Sequence, residues 1–260
     1  TRTLPQHGAR LMSTDLSQPF ALRFSIDSWS AWAPGLTDSE AWLAWAQQPQ
    51  IPLGDDKPDL LQIPALLRRR ADRLARMAMH TAGAVRAASP CPMVFGSQRG
   101  ETQRAANMLT ELAQSGQVAP GPFSLSVHNA VSALHSISQG DQSNYIALAA
   151  GSETTECAVL EACALLAEGC GSVIVTLYDE TLPDRYRPYV READAAFAWS
   201  WRLTLPQGRN DFELTWASPS LSPTDEELPH ALSVLRYFLS PDAILTHDGT
   251  HRCWTWRRLP

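Results

Sequence analysis

The sequence lacks the features that mark several common classes of protein. No run of 18 or more apolar residues occurs in the 260-residue chain, so we predict no membrane-spanning helix. The net charge of -6 argues against a general nucleic-acid-binding protein, which usually has a basic surface. The first twenty residues lack the charged-then-apolar order of a secretion signal. We therefore expect a disordered leader at 1–20 and a single cytoplasmic domain over 21–260.

Cysteines are few and widely spaced, and no CxxC pair occurs among them. The five are Cys91, Cys157, Cys163, Cys170 and Cys253. Zinc sites and disulfide frameworks normally show tighter spacing and even numbers. We expect reduced, buried thiols, no metal and no other cofactor.

Hydrophobic residues make up 44% of the chain, enough for a sizeable core. Their periodicity switches between two residues and three to four, and it predicts strands alternating with helices. The helix predicted over 65–88 has the clearest apolar stripe. Strands are predicted at 22–29, 93–95, 123–127, 145–149, 172–178, 196–205, 211–217, 243–246 and 253–257, and helices at 41–48, 65–88, 101–115, 129–138, 155–168 and 225–239. This order indicates an α/β layered domain with a mixed sheet, flanking helices and an antiparallel C-terminal extension.

Four blocks of sequence resemble the N-terminal half of β-ketoacyl synthases, the condensing enzymes of the thiolase fold, in the same order. They are Arg70-Ala-Asp-Arg-Leu-Ala-Arg-Met-Ala, Met93-Val-Phe-Gly-Ser-Gln-Arg-Gly, Phe123 to Ile137, and Ala149-Ala-Gly-Ser-Glu. The pairing of Ser126-Val-His-Asn with Trp254-Thr-Trp-Arg is more specifically similar to the short β-ketoacyl synthase-like N-terminal family. Members of that family are often labelled chain-length factors of aryl-polyene-type pathways. The resemblance covers residues 22–258 and implies a thiolase-like N-terminal half.

Two departures from that family bear on activity. The nucleophilic Cys at the start of its helix corresponds to Asn129, and an amide cannot take an acyl group from a carrier protein. The resemblance also implies two histidines in a C-terminal half, which we expect this chain to lack. His247-Asp-Gly-Thr is faintly similar to one histidine segment, but Asp248-Gly249 favours a hairpin turn.

Each residue near Asn129 has a structural and a functional interpretation. Asn129 is predicted to cap the 129–138 helix, and its functional interpretation is a replaced nucleophile that lines a vestigial acyl pocket; both can hold together, but the cap alone is favoured. His128 is expected to be structural, although it is also a possible base for Ser126 or Ser132 in a thioesterase or acyltransferase. No Gly-x-Ser-x-Gly elbow supports that alternative, and Ser126 lies in a predicted buried strand. His135 is expected in the core or an interface, and Glu153 is expected to hydrogen-bond backbone near its turn.

Partner binding is predicted from charge and from packing. Arg68, Arg69, Arg70, Arg73 and Arg76 form either a docking face for an acidic acyl carrier protein or a solvated helix face. The 129–138 helix is apolar around most of its circumference and needs a cover. The cover would be the C-terminal strands, a second copy or a partner ketosynthase. Unless the C-terminal strands supply it, we expect a homo- or hetero-oligomeric complex. Most of the nine tryptophans are expected in the core, and an exposed one would mark a partner surface.

The resemblance and these departures together predict a non-condensing accessory protein. It would act in a type II fatty-acid or polyketide-like pathway and bind a ketosynthase or an acyl carrier protein. A pure self-assembling scaffold and the serine-dependent thioesterase or acyltransferase remain as alternatives.

Overall fold

The computed structural model describes residues 21–86, 89–190, 193–219 and 227–260. The predicted leader, 1–20, lies outside this part of the chain. One sheet runs through the described residues in the order β3-β2-β4-β5-β1-β6-β8-β7. Its strands are β1 (Ala21–Trp32), β2 (Met93–Gly96), β3 (Tyr145–Leu148), β4 (Val173–Asp179), β5 (Phe197–Thr204), β6 (Asp211–Ala217), β7 (Ile244–Asp248) and β8 (Cys253–Arg258).

The sheet is mixed, with its parallel part at one end. Strand β2 pairs in parallel with β3 and with β4, whereas every other pairing is antiparallel. The predicted layered mixed sheet with an antiparallel C-terminal part is confirmed. Strand β1 also joins this antiparallel part, because it lies between β5 and β6.

Helices cover both faces of the sheet. They are α1 (Ser39–Gln47), α2 (Ala65–Arg70), α3 (Arg73–Ala84), α4 (Thr102–Ser115), α5 (Pro120–Ser124), α6 (Ala130–Gln139), α7 (Thr154–Ala167) and α8 (His230–Leu239). Residues of α3 and α6 share one buried cluster, and residues of α1, α7 and α8 share the other. None of the described helices is both long and apolar enough to cross a bilayer.

Tryptophan packing dominates the core, as predicted. Seven of the nine tryptophans are buried, and Trp29 and Trp216 are half-buried. Trp201 contacts Trp199 at 4.3 Å between ring centroids and Trp256 at 6.3 Å. Since no tryptophan is exposed, none marks a partner surface.

The single helix predicted over 65–88 is wrong, because the chain breaks between α2 and α3. Ala71 has an extended backbone (ψ 115°), and Asp72 then starts a new helix as its N-cap. The Asp72 side chain accepts a hydrogen bond from the Ala75 N–H at 3.0 Å, which satisfies one of the free donors of a helix start. The periodicity of apolar residues continues across this break and therefore does not reveal it.

The strand predicted over 123–127 is also wrong, and with it the burial of Ser126. Pro120 and Pro122 lie in the first residues of α5, where proline's fixed φ favours a helical start. Phe123 is 66% exposed and Val127 is 51% exposed. Ser126 lies half-buried in the turn that leads to α6.

Two further predictions concern the C-terminal part. The helix predicted from Asp225 begins later, at His230 after Pro229, while 225–226 lie outside the described residues. The predicted hairpin at Asp248-Gly249 is confirmed, since β7 and β8 pair and the Gly249 N–H donates to the Arg252 carbonyl at 2.9 Å.

The helix predicted over 129–138 forms as α6, but it is not buried all round. Ala130, Val131 and Leu134 are buried against α3, whereas Ile137 is 61% exposed. Strands β5–β8 extend the sheet beyond β4, on the side away from β3. They therefore do not supply the cover that the apolar circumference of this helix requires.

Candidate functional site

The candidate site lies where the parallel strands β2, β3 and β4 end. In open α/β sheets the carboxyl ends of the strands are the usual place for ligands. The turn after β2 is organised by Asp179 at the end of β4, which accepts from the Ser97 hydroxyl at 2.8 Å and from the Gln98 and Arg99 N–H groups. Burial of Asp179 raises the pKa of its carboxyl, although these donors oppose that effect. Ser97 in turn accepts from the Gly100 N–H at 2.7 Å.

His128 joins two of these strand ends. Its Nε2–H donates to the Leu148 carbonyl, the last residue of β3, at 2.9 Å. Gly100 has φ +53°, and a Cβ built there would lie 2.7 Å from His128 Nδ1. The ring therefore lies directly against the Gly96–Gly100 turn.

Asn129 occupies the predicted N-cap position of α6, but its side chain accepts no cap hydrogen bond. The physical reason is its backbone, since ψ is 9°, whereas the capping Asp38 and Asp72 are extended (ψ 169° and -171°). The Asn129 side chain is exposed at the start of the helix. An amide in this position offers hydrogen bonds and no nucleophile.

The two serines near His128 are engaged elsewhere. The Ser126 hydroxyl donates to the Phe123 carbonyl at 2.8 Å, and the buried Ser132 hydroxyl donates to the Asn129 carbonyl at 2.9 Å. Within the described residues, neither hydroxyl hydrogen-bonds His128. A nucleophilic serine needs a base within hydrogen-bond reach, so this geometry gives the serine-enzyme alternative no support.

The cysteines supply no activated thiolate to this edge. All five are free, and burial raises the pKa of the Cys91, Cys157 and Cys163 thiols, that of Cys163 to about 12. A nucleophilic thiol requires the opposite shift.

A cavity of about 370 Å³ opens beside the same strand ends. Gly100, Glu101, Arg73 and Glu180 are among its lining residues. Burial, followed by the charge of Asp72, raises the pKa of Glu101 to about 7. Such a carboxyl can exchange a proton near neutral pH.

The five arginines do not form one docking face, which corrects that interpretation. Arg73 bonds the Glu180 carboxylate and donates to the Gly54 carbonyl at 2.7 Å. Arg76 donates to the carbonyls of Pro58, Arg68 and Ala71 at 3.0–3.1 Å. Only Arg69 and Arg70 of the five are exposed. The break at Ala71 places Arg69 and Arg70 on α2 and Arg73 and Arg76 on α3.

His135 is buried as the sequence predicts, whereas Glu153 hydrogen-bonds a turn that is distant in the sequence and not the turn beside it. Buried Glu153 accepts from the His251 N–H at 2.6 Å and from Trp254 Nε1 at 3.1 Å, so it anchors the β7–β8 turn. His135 is buried in the core beside Phe95, and burial lowers the pKa of its imidazole to about 4.

Sequence reasoning missed a third polar cluster, formed by Glu156, His230 and His247. Glu156 lies on α7, His230 begins α8 and His247 lies on β7. His230 Nε2 donates to Glu156 Oε1 at 2.6 Å, and His247 Nδ1 lies 3.4 Å from the same oxygen. No local spacing signals this cluster, because its members are far apart in the chain. His247 was noticed only for its similarity to a histidine segment of the family, which the hairpin turn outweighed.

Comparisons with known proteins agree on the fold. The sequence matches the family model described as "Beta-ketoacyl synthase, N-terminal domain" over residues 42–257. No curated protein matches it significantly in sequence. Among solved structures, a ketosynthase in complex with its chain length factor from Xenorhabdus doucetiae superposes with a TM-score of 0.79 and 25% identity. That match covers 91% of this chain and 100% of the matched chain.

Two more distant structures share the fold. The complex of a type II polyketide synthase acyl-carrier protein with its ketosynthase, bound to the hexaketide, gives a TM-score of 0.69 at 12% identity, covering 92% of this chain and 100% of that chain. The ishigamide ketosynthase/chain length factor gives 0.59 at 14% identity, covering 76% of this chain and 67% of that chain.

Proposed function

We infer the function from the family, because this chain belongs to the β-ketoacyl synthase N-terminal-domain family. We propose that it is a non-condensing, chain-length-factor-like accessory subunit in a type II fatty-acid or polyketide pathway of the aryl-polyene kind. Its proposed partners are a ketosynthase subunit and an acyl carrier protein.

The observation that carries this proposal is the exposed amide of Asn129 at the start of α6. The resemblance places this residue where a condensing enzyme has its thiolate. The nearby hydroxyls of Ser126 and Ser132 are committed to backbone carbonyls, so they do not substitute for it. A site with this geometry can hold a polar or acyl ligand by hydrogen bonding and packing, but it has no group that forms an acyl-enzyme.

The proposed ketosynthase surface is the uncovered edge of the sheet at β3. Within the described residues, β3 pairs with β2 alone, and its N–H and C=O groups on the other side are available to a neighbour. None of the four residues of β3 is fully buried, although parallel strands are normally buried on both faces. Helix α6 contacts β3 and exposes Ile137. Further exposed apolar side chains lie on the elements before α6, namely Leu109 and Leu112 on α4, Phe123 on α5 and Val127 in the turn after it.

A ketosynthase is the occupant we propose for this surface, because a monomer rarely leaves a strand edge with so many apolar neighbours open to water. The matched Xenorhabdus doucetiae complex pairs a ketosynthase with its chain length factor, and its matched chain aligns over its whole length. That full-length correspondence supports the same kind of pairing here.

For the acyl carrier protein, we propose a smaller basic surface than the sequence indicates. Arg69 and Arg70 are exposed at the end of α2, while Arg73 and Arg76 are held in internal hydrogen bonds. Two exposed guanidinium groups can steer an acidic partner without fixing it tightly.

The test is a pull-down and sedimentation experiment with the type II ketosynthase of the same organism. The proposal expects a stable complex of one chain with one ketosynthase subunit, and Phe123→Asp is expected to weaken it at least about tenfold. Leu53→Asp is the matched control, since Leu53 is 82% exposed in a loop outside the proposed surface. A chain that sediments as a monomer in the presence of the ketosynthase, or equal weakening by both substitutions, would contradict the proposal.

A further inference from the structure

The cluster of Glu156, His230 and His247 contains a carboxyl group with no access to bulk water. Glu156 is fully buried, and His247 is buried beside it. Trp256 Nε1 donates to Glu156 Oε1 at 3.1 Å, and His230 Nε2 donates to the same oxygen at 2.6 Å. The other carboxylate oxygen, Oε2, is buried and has no hydrogen-bond partner among the described residues.

Burial would raise the pKa of Glu156, but the charge of His230 and hydrogen bonds from both histidines hold it well below its usual range. A buried anion is costly unless a cation or several donors compensate for it. An orphaned oxygen on such a group therefore calls for a further positive partner.

The two imidazole rings are arranged face to face. Their centroids lie 3.4 Å apart, with 20° between the planes. Two protonated imidazoles stacked in this way would repel each other, so both cannot serve as the compensating cation. Two neutral imidazoles, in contrast, can share one metal ion once the rings rotate out of the stack, because each nitrogen lone pair lies in its ring plane.

We propose that Glu156, His230 and His247 bind one first-row divalent cation, with Zn²⁺ as the best fit. One carboxylate oxygen, one nitrogen of His230 and one nitrogen of His247 lie within 4.8 Å of one another. Tetrahedral zinc with these ligands needs donor atoms about 3.3 Å apart, as follows from metal–ligand distances of about 2.0–2.1 Å. The present separations from Glu156 Oε1 are 2.6 and 3.4 Å, so these two distances change by less than about 1 Å, while the two rings rotate out of their stack.

The surroundings fit this assignment. His230 also lines a cavity of about 410 Å³, which provides an entry path and room for a water as fourth ligand. The carboxylates of Glu227 and Asp242 line the same cavity and would attract a cation to it. The Trp256 hydrogen bond to Glu156 orients the carboxylate, as partners of ligating groups do in metal sites.

The consequence of binding would be structural. The three ligands belong to α7, α8 and β7, so one ion would tie two helices to the last strand of the sheet. This site lies on the face of the sheet opposite α6, and the inference stands apart from the proposed partnership with a ketosynthase.

The experiment uses the whole chain, stripped of metal with EDTA and titrated with Co²⁺ or Zn²⁺. We expect one equivalent of Co²⁺ to give the intense visible absorption of a tetrahedral site, and Zn²⁺ to displace it and raise Tm. His247→Gln and Glu156→Gln should each weaken Co²⁺ binding more than about tenfold. His251→Gln is the control, because His251 is exposed and its contact with Glu153 is made by backbone.

Two results would overturn the site. One is wild-type protein that shows no tetrahedral Co²⁺ spectrum and no gain in Tm with Zn²⁺, which decides the question even if the variants fail to fold. The other is binding that His251→Gln weakens as much as His247→Gln does.

Discussion

At the residue scale, Arg76 illustrates how a predicted docking residue is instead part of the fold. Its guanidinium donates to the carbonyls of Pro58, Asp59, Arg68 and Ala71, so it fastens the loop before α2 to the break before α3. We expect Arg76→Met to lower the free energy of unfolding by about 2–4 kcal/mol, because buried carbonyls lose a charged donor. Urea denaturation measures this.

The matched control for that prediction is Arg69→Met, a change at an exposed residue of α2. Its effect should stay within about 0.5 kcal/mol. Equal losses in the two variants would show that Arg76 is not structural.

Glu101 gives a pH-dependent prediction. Burial and the charge of Asp72 raise the pKa of Glu101 from 4.5 to about 7, so the folded state holds a proton that the unfolded chain releases. Its contribution to stability is therefore present below about pH 4.5 and is lost as pH rises through 7. Relative to wild type, Glu101→Gln should gain about 1–3 kcal/mol between pH 5 and pH 8 in urea denaturation. A difference between the two proteins that does not change with pH would exclude the shift.

How far single residues were predictable depends on whether their partners are near in sequence. The burial of His135 follows from the apolar side of its own helix and is confirmed, whereas Glu153 bonds a turn 98 residues away and not its own. The position of Asn129 at a helix start was also predictable, but its missing cap hydrogen bond depends on a ψ that sequence does not encode locally. Glu156 and His230 drew no attention, because their contact forms only when α7 and α8 pack together.

At the element scale, the contact between Gly100 and His128 can be tested by a double-mutant cycle. Gly100→Ala should cost about 1–4 kcal/mol, since φ is +53° and the added Cβ would lie 2.7 Å from His128 Nδ1. Removing the ring with His128→Ala should recover part of that cost, because the clash disappears while the backbone strain remains. If the losses in free energy of unfolding of the two single variants add up to that of the double variant, the His128 ring does not clash with the added Cβ, and the prediction is wrong.

Elements with strong local signals were predictable, and those set by distant contacts were not. Alternating apolar residues predicted β5 and β6 to within a residue. The same alternation in 123–127 predicted a strand, but Pro120 begins the helix α5 there. The described sheet therefore ends at β3, with no strand from 123–127 beside it. Likewise, the apolar stripe over 65–88 is continuous in sequence, while Asp72 interrupts the backbone by capping α3.

At the scale of the whole molecule, the mixed sheet and its two helical layers followed from the alternation of strands and helices. What covers the β3 edge could not be predicted in this way, because among the described elements only β2 pairs with β3. The unfilled edge and the exposed side chains of Phe123 and Ile137 are what an accessory subunit would present to its partner.

The most direct test of the central claim compares the products of the partner ketosynthase with and without this chain, using malonyl and acyl carrier protein thioesters. The account predicts that this chain alone forms and hydrolyses no thioester product. Added to the ketosynthase, it should increase elongation or change the length of the acyl products. Turnover by this chain alone, or an unchanged product distribution in the presence of a proven complex, would contradict a non-condensing accessory role.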